Sequence, residues 1–382
     1  MPQLRSDGGL GVEVILSSLT TTLLVFSMLF VPSVQLTGQQ SEGLTLETQI
    51  PLANVRGRID HFSVDVRGQR LFVAAVANHS LEIIDLKSGQ PVHTIPDLAE
   101  PQGVFYDSST NRLFVACSLD GVTRIFDGTT LQVLATVKFP DDADNIRYDQ
   151  RSKNVIVGYA GAKQLRNHAA GTGGLGFIDP DGKKIGEIVI DAHPESFQLE
   201  KSGSRIFVNV PDKKEIEVID AVKRSVQARW PVTSAEDNFP MALDETHHRL
   251  FVGCRKPPQL LVFDTETGKQ VASGEIAGGS DDLFYDARRS RIYVLTNKGF
   301  LEVFQQKDAD HYNRIGHYAT PPRSQTGLVG KDLRCCSITR ATECRSACVS
   351  DALTRSGNED PEIVLGDTFW SARPFASLGP AF

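Results

Sequence analysis

The stretch RLFVAAV, residues 70–76, decides the fold because it recurs. RLFVACS begins at Arg112, NVIVGYA at Asn154, RIFVNVP at Arg205, RLFVGCR at Arg249 and RIYVLTN at Arg291, at spacings of 42, 42, 51, 44 and 42 residues. A short apolar piece ending in an acidic turn precedes each copy, as in HFSVDVRGQ (residues 61–69) and GVFYDSSTN (residues 103–111). A third piece follows it, as in SLEIIDLKSG (residues 80–89) and LLVFDTETG (residues 260–268), and a fourth closes the unit, as in PVHTIPD (residues 91–97). β-Branched and aromatic residues favour extended backbone, and the Asp, Gly, Ser and Lys between the pieces supply turns. Four short strands in about 42 residues make the blade of a β-propeller. No helical pattern alternates with the strands, so a parallel α/β sheet is excluded.

Six second strands are visible, and one further period from Arg291 falls at residue 333. GLTLETQIPLA, residues 43–53, reads as an outer strand without a unit of its own. Ring propellers close by letting one terminus complete the last blade, which removes an open edge. The expectation is therefore an all-β, seven-bladed propeller of four-stranded antiparallel blades. Its last blade is incomplete and takes its outer strand from residues 43–53.

The chain is similar to the YVTN-repeat, YncE-like seven-bladed β-propeller family of bacteria. The likeness rests on the RLFVA-type second strands, the IID, VID and VFD third strands, and HPESFQLEKSGSRIFVNVPDKKEIEVIDAVKR at residues 193–224. NFPMALD (residues 238–244) and DDLFYDA (residues 281–287) add to it. It covers residues 44–328 and implies a WD40-like repeat fold rather than a chemistry. The loop at residues 161–174 and everything after Leu328 depart from the pattern.

Three regions follow: residues 1–43, residues 44–328 and residues 329–382. In the first, Val14 to Val34 is an apolar run without a charge, long enough to cross a bilayer. It reads as a signal peptide or membrane anchor with a linker, which places the protein in the periplasm or otherwise outside the cytoplasm. In the last region, DLRCCSITRATECRSACVSD (residues 332–351) holds four of the six cysteines where the seventh blade is due. Adjacent Cys335 and Cys336 suit one metal poorly, and the stretch lacks the turns of a disulfide-stapled module. Back-translated and shifted by one base, residues 333–350 permit CAVARLPGQRNAEVLVYQ, whose AEVLVYQ parallels FLEVFQQ at residues 300–306. The tail is thus expected to be irregular and frameshifted. Cys117 and Cys254 occupy equivalent places in non-adjacent blades and read as small buried residues, not a disulfide pair.

The formal net charge is −7, against a general nucleic-acid binder. Loops entering the first strand of each blade gather at one mouth of the ring, and they are rich in Asp and Glu. The candidate ligand-binding residues are Asp60, His61, Asp144, Asn145, His193, Glu195, Asn238, Asp281 and Asp282. Such a mouth attracts positive charge. Its oxygen donors suit calcium or magnesium, and His61 and His193 extend the choice of divalent cation to zinc or copper. Taken singly, each carboxylate also reads as a loop cap accepting backbone N–H groups. Two functions stay open: a binding or scaffold protein with a small-molecule or protein ligand at the mouth, and a metal-dependent, lactonase-like hydrolase. A membrane contact through the N-terminal segment and a monomeric state are also expected. No Ser-His-Asp arrangement emerges from the spacing.

Overall fold

The computed structural model describes residues 44–161, 171–330, 335–338, 344–351 and 363–364. The apolar run Val14–Val34, expected to form a helix as a signal peptide or membrane anchor, lies outside the described residues. Among the described residues no helix is long and apolar enough to cross a membrane.

Each period of the sequence forms an antiparallel four-stranded sheet whose strands pair in chain order. Blade one comprises Phe62–Asp65, Arg70–Ala75, Ser80–Asp85 and Gln90–Ile95; blade two comprises Pro101–Asp107, Arg112–Cys117, Val122–Asp127 and Val133–Lys138. Blade three runs through Asp141–Tyr148, Val155–Ala160, Gly173–Ile178 and Lys184–Ile190, and blade four through Phe197–Leu199, Arg205–Val210, Glu215–Asp220 and Ser225–Pro231. Blade five holds Glu236–Asp244, Arg249–Lys256, Pro258–Asp264 and Gln270–Glu275. Blade six holds Ser280–Asp286, Arg291–Thr296, Phe300–Gln306 and Tyr312–Ala319.

The expectation of seven such blades is corrected: among the described residues six, not seven, are four-stranded. A five-stranded sheet combines both ends of the chain. In it Gly327–Gly330 pairs with Cys335–Ile338, which pairs with Cys344–Asp351, which pairs in turn with Leu44–Leu52; Ile363–Val364 flanks Gly327–Gly330. Leu44–Leu52 is the outer strand, as its lack of a unit of its own implied. Strand formation at residues 335–338 and 344–351 falls in the stretch read as irregular. The side-chain surroundings of its four cysteines lie outside the described residues.

Burial explains the repeat. The second strands carry almost unbroken apolar runs because neighbouring sheets cover both faces; RLFVAA of blade one is buried from Leu71 to Ala75. The fourth strands are outermost and largely solvated, as in QPVHTI, where only Ile95 is buried. Apolar clusters fill the joints between sheets. One joins Phe72 and Leu81 to Val104 and Leu113, another joins Phe207 and Val218 to Met241 and Leu250. At the closure, Ile50, Leu52 and Leu328 pack on blade one, while Leu44 and Val329 pack with Phe284 and Tyr293 of blade six. Cys117 and Cys254 are free and buried in such clusters, so their thiols are pushed up to about 11 and about 12.

The acidic turns have a local cause. Asp65, Asp107, Asp244 and Asp286 end first strands, Asp149 directly follows one, and all five accept backbone N–H groups two or three residues on, at 2.8–3.1 Å. At the same end, the arginine that opens a second strand reaches forward to the next blade. Arg70 donates to Gly128 O at 2.5 Å, Arg112 to Pro180 O, Arg205 to Thr265 O at 2.6 Å and Arg249 to Ala309 O at 3.2 Å. In blade three Asn154 stands at this place, and the clasp runs backward: Arg224 of blade four donates to Ile185 O at 3.0 Å and stacks over Phe177.

Candidate ligand site at the mouth of the ring

The residue ten places before each second strand is the key to the mouth. Counting back from Arg70, Arg112, Asn154, Arg205, Arg249, Arg291 and Cys335 gives Asp60, Gln102, Asp144, Glu195, Phe239, Asp281 and Gln325. All seven line one cavity of about 660 Å³. Two residues earlier, the backbone often turns left-handed, with φ of 56° at Glu100, 34° at Asp142, 56° at Asp237, 72° at Gly279 and 71° at Arg323. Asp and Gly tolerate this region better than most residues. Some of the acidic character of these loops therefore serves the chain path. Gly103 has a steric role: a Cβ there would stand 2.0 Å from the Asp144 carbonyl oxygen, so only glycine lets blade two approach blade three so closely.

Of the nine predicted residues, Asp60, His61, Asp144, Asn145, His193, Glu195 and Asp281 line this cavity. Asn238 does not. It is fully buried, and its amide donates to Asn209 Oδ1 at 2.9 Å and Glu215 O at 3.1 Å. Asp282 also lies off the main cavity. It accepts the Gly327 N–H at 2.7 Å and lines a smaller space of about 50 Å³ together with His61. Sequence reasoning passed over Gln102, Phe239 and Gln325 because it searched for charge, although their shared offset marks them. It also missed Arg255, on a second strand that runs on to Lys256.

The cations of the cavity are committed to partners. Arg58 pairs with Asp60, Lys256 with Asp237 at 2.9 Å, and Arg255 with Asp281. Arg255 also donates to Ser280 O at 3.0 Å and lies 3.5 Å over the Phe239 ring. Gln325 donates to Asp281 as well. On the other side, among the described residues, Asp142, Asp144 and Glu195 have no arginine or lysine at salt-bridge distance, and their company is imidazole. His193 Nε2 is 3.8 Å from Asp142 Oδ2, and its Nδ1 is 3.7 Å from Glu195 Oε1. His61 Nε2 is 4.0 Å from Asp144 Oδ1, and its Nδ1 is 3.6 Å from Asp282 Oδ1. These separations exceed a hydrogen bond. Asp144 Oδ1 and His193 Nε2 are shielded from solvent and have no hydrogen-bond partner.

Seven carboxylates line the cavity against three permanent cations. Burial, then Asp60, raises Asp144 to about 8 in spite of His61; burial, then Asp281, raises Glu195 to about 8 in spite of Arg255. Asp142 and Asp281 move the same way, burial being the first cause in each. For His61, burial pulls downward, but Asp282, Asp60 and Asp144 overcome it and hold the imidazole at about 10. Among the described residues, no three His, Cys, Asp or Glu side chains are grouped as ligands of one metal ion.

No family model matches the chain, and no curated protein matches it. Solved structures match by fold. A chain of the "Crystal Structure of Mitotic Checkpoint Complex" superposes with a TM-score of 0.66 at 14% identity, over 87% of this chain and 100% of that one. A chain of the Kuenenia stuttgartiensis hydrazine synthase gives a TM-score of 0.57 at 15% identity, over 65% of this chain and 84% of that one. The protein is a β-propeller. At these identities the likeness extends to the fold alone, and propellers carry many functions.

Proposed function

We propose that this propeller is a binding or scaffold protein whose ring mouth holds a cationic small molecule or a cationic side chain of a protein partner. The observation that carries the reading is the set of buried carboxyl groups on blades three and four, which have no arginine or lysine partner among the described residues. Asp144 and Glu195 are raised because ionising them beside other carboxylates, away from water, is costly; a bound cation removes that cost. The fold of the mitotic checkpoint chain occurs in a protein complex, which agrees with a binding role.

The hydrolase reading needs a grouped metal-donor set and finds less support, since carboxylates on separate blades are interleaved with imidazole and guanidinium groups. The five-stranded sheet is read as the seventh blade of a YncE-like ring. The apolar segment at residues 14–34 is read as directing the protein out of the cytoplasm.

Isothermal titration of the full chain at pH 8 with spermidine, arginine amide and calcium chloride tests the site. Binding of an organic cation, lost on the double change Asp144→Asn and Glu195→Gln, is the expected result. Absence of heat and of any melting-temperature shift with all three overturns the reading. Calcium binding alone moves it to a metal site. Fractionation of the source cells tests location, and full-length chain in the cytosol counts against export.

A further inference from the structure

We propose that the face opposite the mouth is a docking surface for an anionic lipid bilayer, centred on blades three and four. This face is formed by the turns between first and second strands and between third and fourth strands, which the arginine clasps bring together. In blades three and four those turns carry Arg151, Lys153, Lys183, Lys201, Lys223 and Arg224, all exposed. The two blades present them as one patch, since Arg224 donates to Ile185 O at 3.0 Å across the joint. The net charge of the whole chain is −7, so this positive character is local. The acids of the same turns are drawn inward. Asp149 accepts the Arg151 N–H at 3.0 Å, Asp179 the Lys183 N–H at 2.8 Å and Asp220 the Lys223 N–H at 2.9 Å, while Glu200 binds Arg205 at 2.8 Å. Among the described residues of these turns, Asp181 is the one exposed acid. Turn chemistry thus hides carboxylates and leaves the cationic ends outermost.

Apolar side chains stand among these cations, and they select the partner. Val222 is 78% exposed in the turn that holds Lys223, and Ile185, whose carbonyl binds Arg224, is 38% exposed. A phosphodiester backbone offers such groups no apolar contact, whereas the headgroup boundary of a bilayer takes basic and apolar groups together. The path of the chain agrees. Outer strands run from this end toward the mouth. Leu44 opens the outer strand of the closing sheet, and Leu52, at its other end, leads to Asp60 at the mouth. The chain therefore comes to the propeller from the basic face. The uncharged run Val14–Val34, long enough to cross a bilayer, has nine residues between it and Leu44. Docked this way, the mouth opens away from the lipid.

Sedimentation of the full chain with vesicles tests the surface. One set is phosphatidylcholine alone, and the other contains about one-third phosphatidylglycerol. The apolar run favours both sets alike, so the difference between them reports the charged face. The expected result is a preference of about tenfold or more for the anionic vesicles at about 0.05 M salt, largely lost at about 0.5 M. Lys153→Glu and Lys183→Glu are each expected to reduce that preference about fivefold or more. Lys298→Glu, exposed on the mouth-side turn of blade six, makes the same charge change and should leave it intact. Lys153→Gln and Lys183→Gln, which remove the charge without reversing it, serve the same purpose if a Glu variant fails to fold. Equal binding to both vesicle sets overturns the proposal. An equal loss from Lys298→Glu also overturns it, because net charge alone would then explain the preference. Duplex DNA bound as tightly as the anionic vesicles, with the same sensitivity to Lys153→Glu, overturns the choice of lipid as the partner.

Discussion

His61 Nδ1 lies 3.6 Å from Asp282 Oδ1, and the other oxygen of the same carboxylate accepts the backbone N–H of Gly327 at 2.7 Å. One side chain of blade six therefore touches blade one and the first strand of the five-stranded sheet between them. The closure of the ring is polar at its mouth and apolar behind it, where Leu328 and Val329 enter the two flanking clusters.

Asp282→Ala should lower stability by about 1–3 kcal/mol, because it strips a partly buried N–H of its acceptor. It should also bring His61 down from about 10 toward ordinary histidine values, since Asp282 is the largest influence holding it up. Denaturant unfolding and imidazole NMR titration check the two effects. An unchanged His61 titration would show that Asp60 and Asp144 suffice.

Stability should fall as pH rises from about 5 to 9. His61, raised from 6.5 to about 10, contributes stability that is complete below pH 6.5 and disappears as pH climbs through 10. Asp144 and Glu195, raised from 3.8 and 4.5 to about 8, contribute fully below those ordinary values and lose the contribution as pH passes 8. All three act in one direction. Carboxylates such as Asp85 and Asp127, held low by backbone N–H groups, act in the opposite direction but below this window. Melting temperatures at pH 5, 7 and 9 in low salt measure the slope. The Asp144→Asn, Glu195→Gln double variant should flatten it.

Arg205→Ala should cost more than an ordinary surface change. The side chain binds Glu200 within its own blade at 2.8 Å, then Thr265 O and Glu266 of the next blade, each at 2.6 Å. Loss of this clasp should destabilise by about 1–3 kcal/mol, and Arg205→Lys should recover little, because an ammonium cannot reproduce the planar fork. Urea unfolding of the three proteins side by side gives the comparison.

Resequencing of the gene is expected to find a one-base displacement in the codons for residues 333–350. The restored reading should supply apolar alternation at the strands Cys335–Ile338 and Cys344–Asp351, and with it a higher melting temperature. An unbroken frame in the source DNA removes the idea.

The period of RLFVA carried the fold because a strand covered on both faces must be apolar throughout, and six copies of such a strand leave few other architectures. The strand Leu44–Leu52 was legible for the complementary reason, having strand character but no unit around it. The site was legible chiefly where it was charged, Asn145 being the uncharged exception. Asp60, Asp144, Glu195 and Asp281 stood out, while Gln102, Phe239 and Gln325 hold the same offset without a charge to mark them. Asn238 was chosen for its place in a loop entering a first strand, but it falls one residue before Phe239, where its amide nitrogen donates to Asn209 and Glu215 instead of facing the cavity. Arg255 was invisible because its role depends on a contact across blades, with Phe239 and Asp281, which the linear order does not announce.

The pairing of Leu44–Leu52 with Cys344–Asp351 sets a timetable for biosynthesis. The first propeller strand to leave the ribosome waits longest for its partner, since residue 351 must be translated before the whole ladder can form. Each intervening blade can assemble from contiguous chain as it emerges, whereas this strand waits with its backbone donors and acceptors unpaired, together with Ile50 and Leu52, which end up buried. A chain cut short before residue 344 would keep that edge open permanently, offering it to any neighbouring nascent chain. Such fragments should aggregate, or be retained by a chaperone, even though six of their blades are complete.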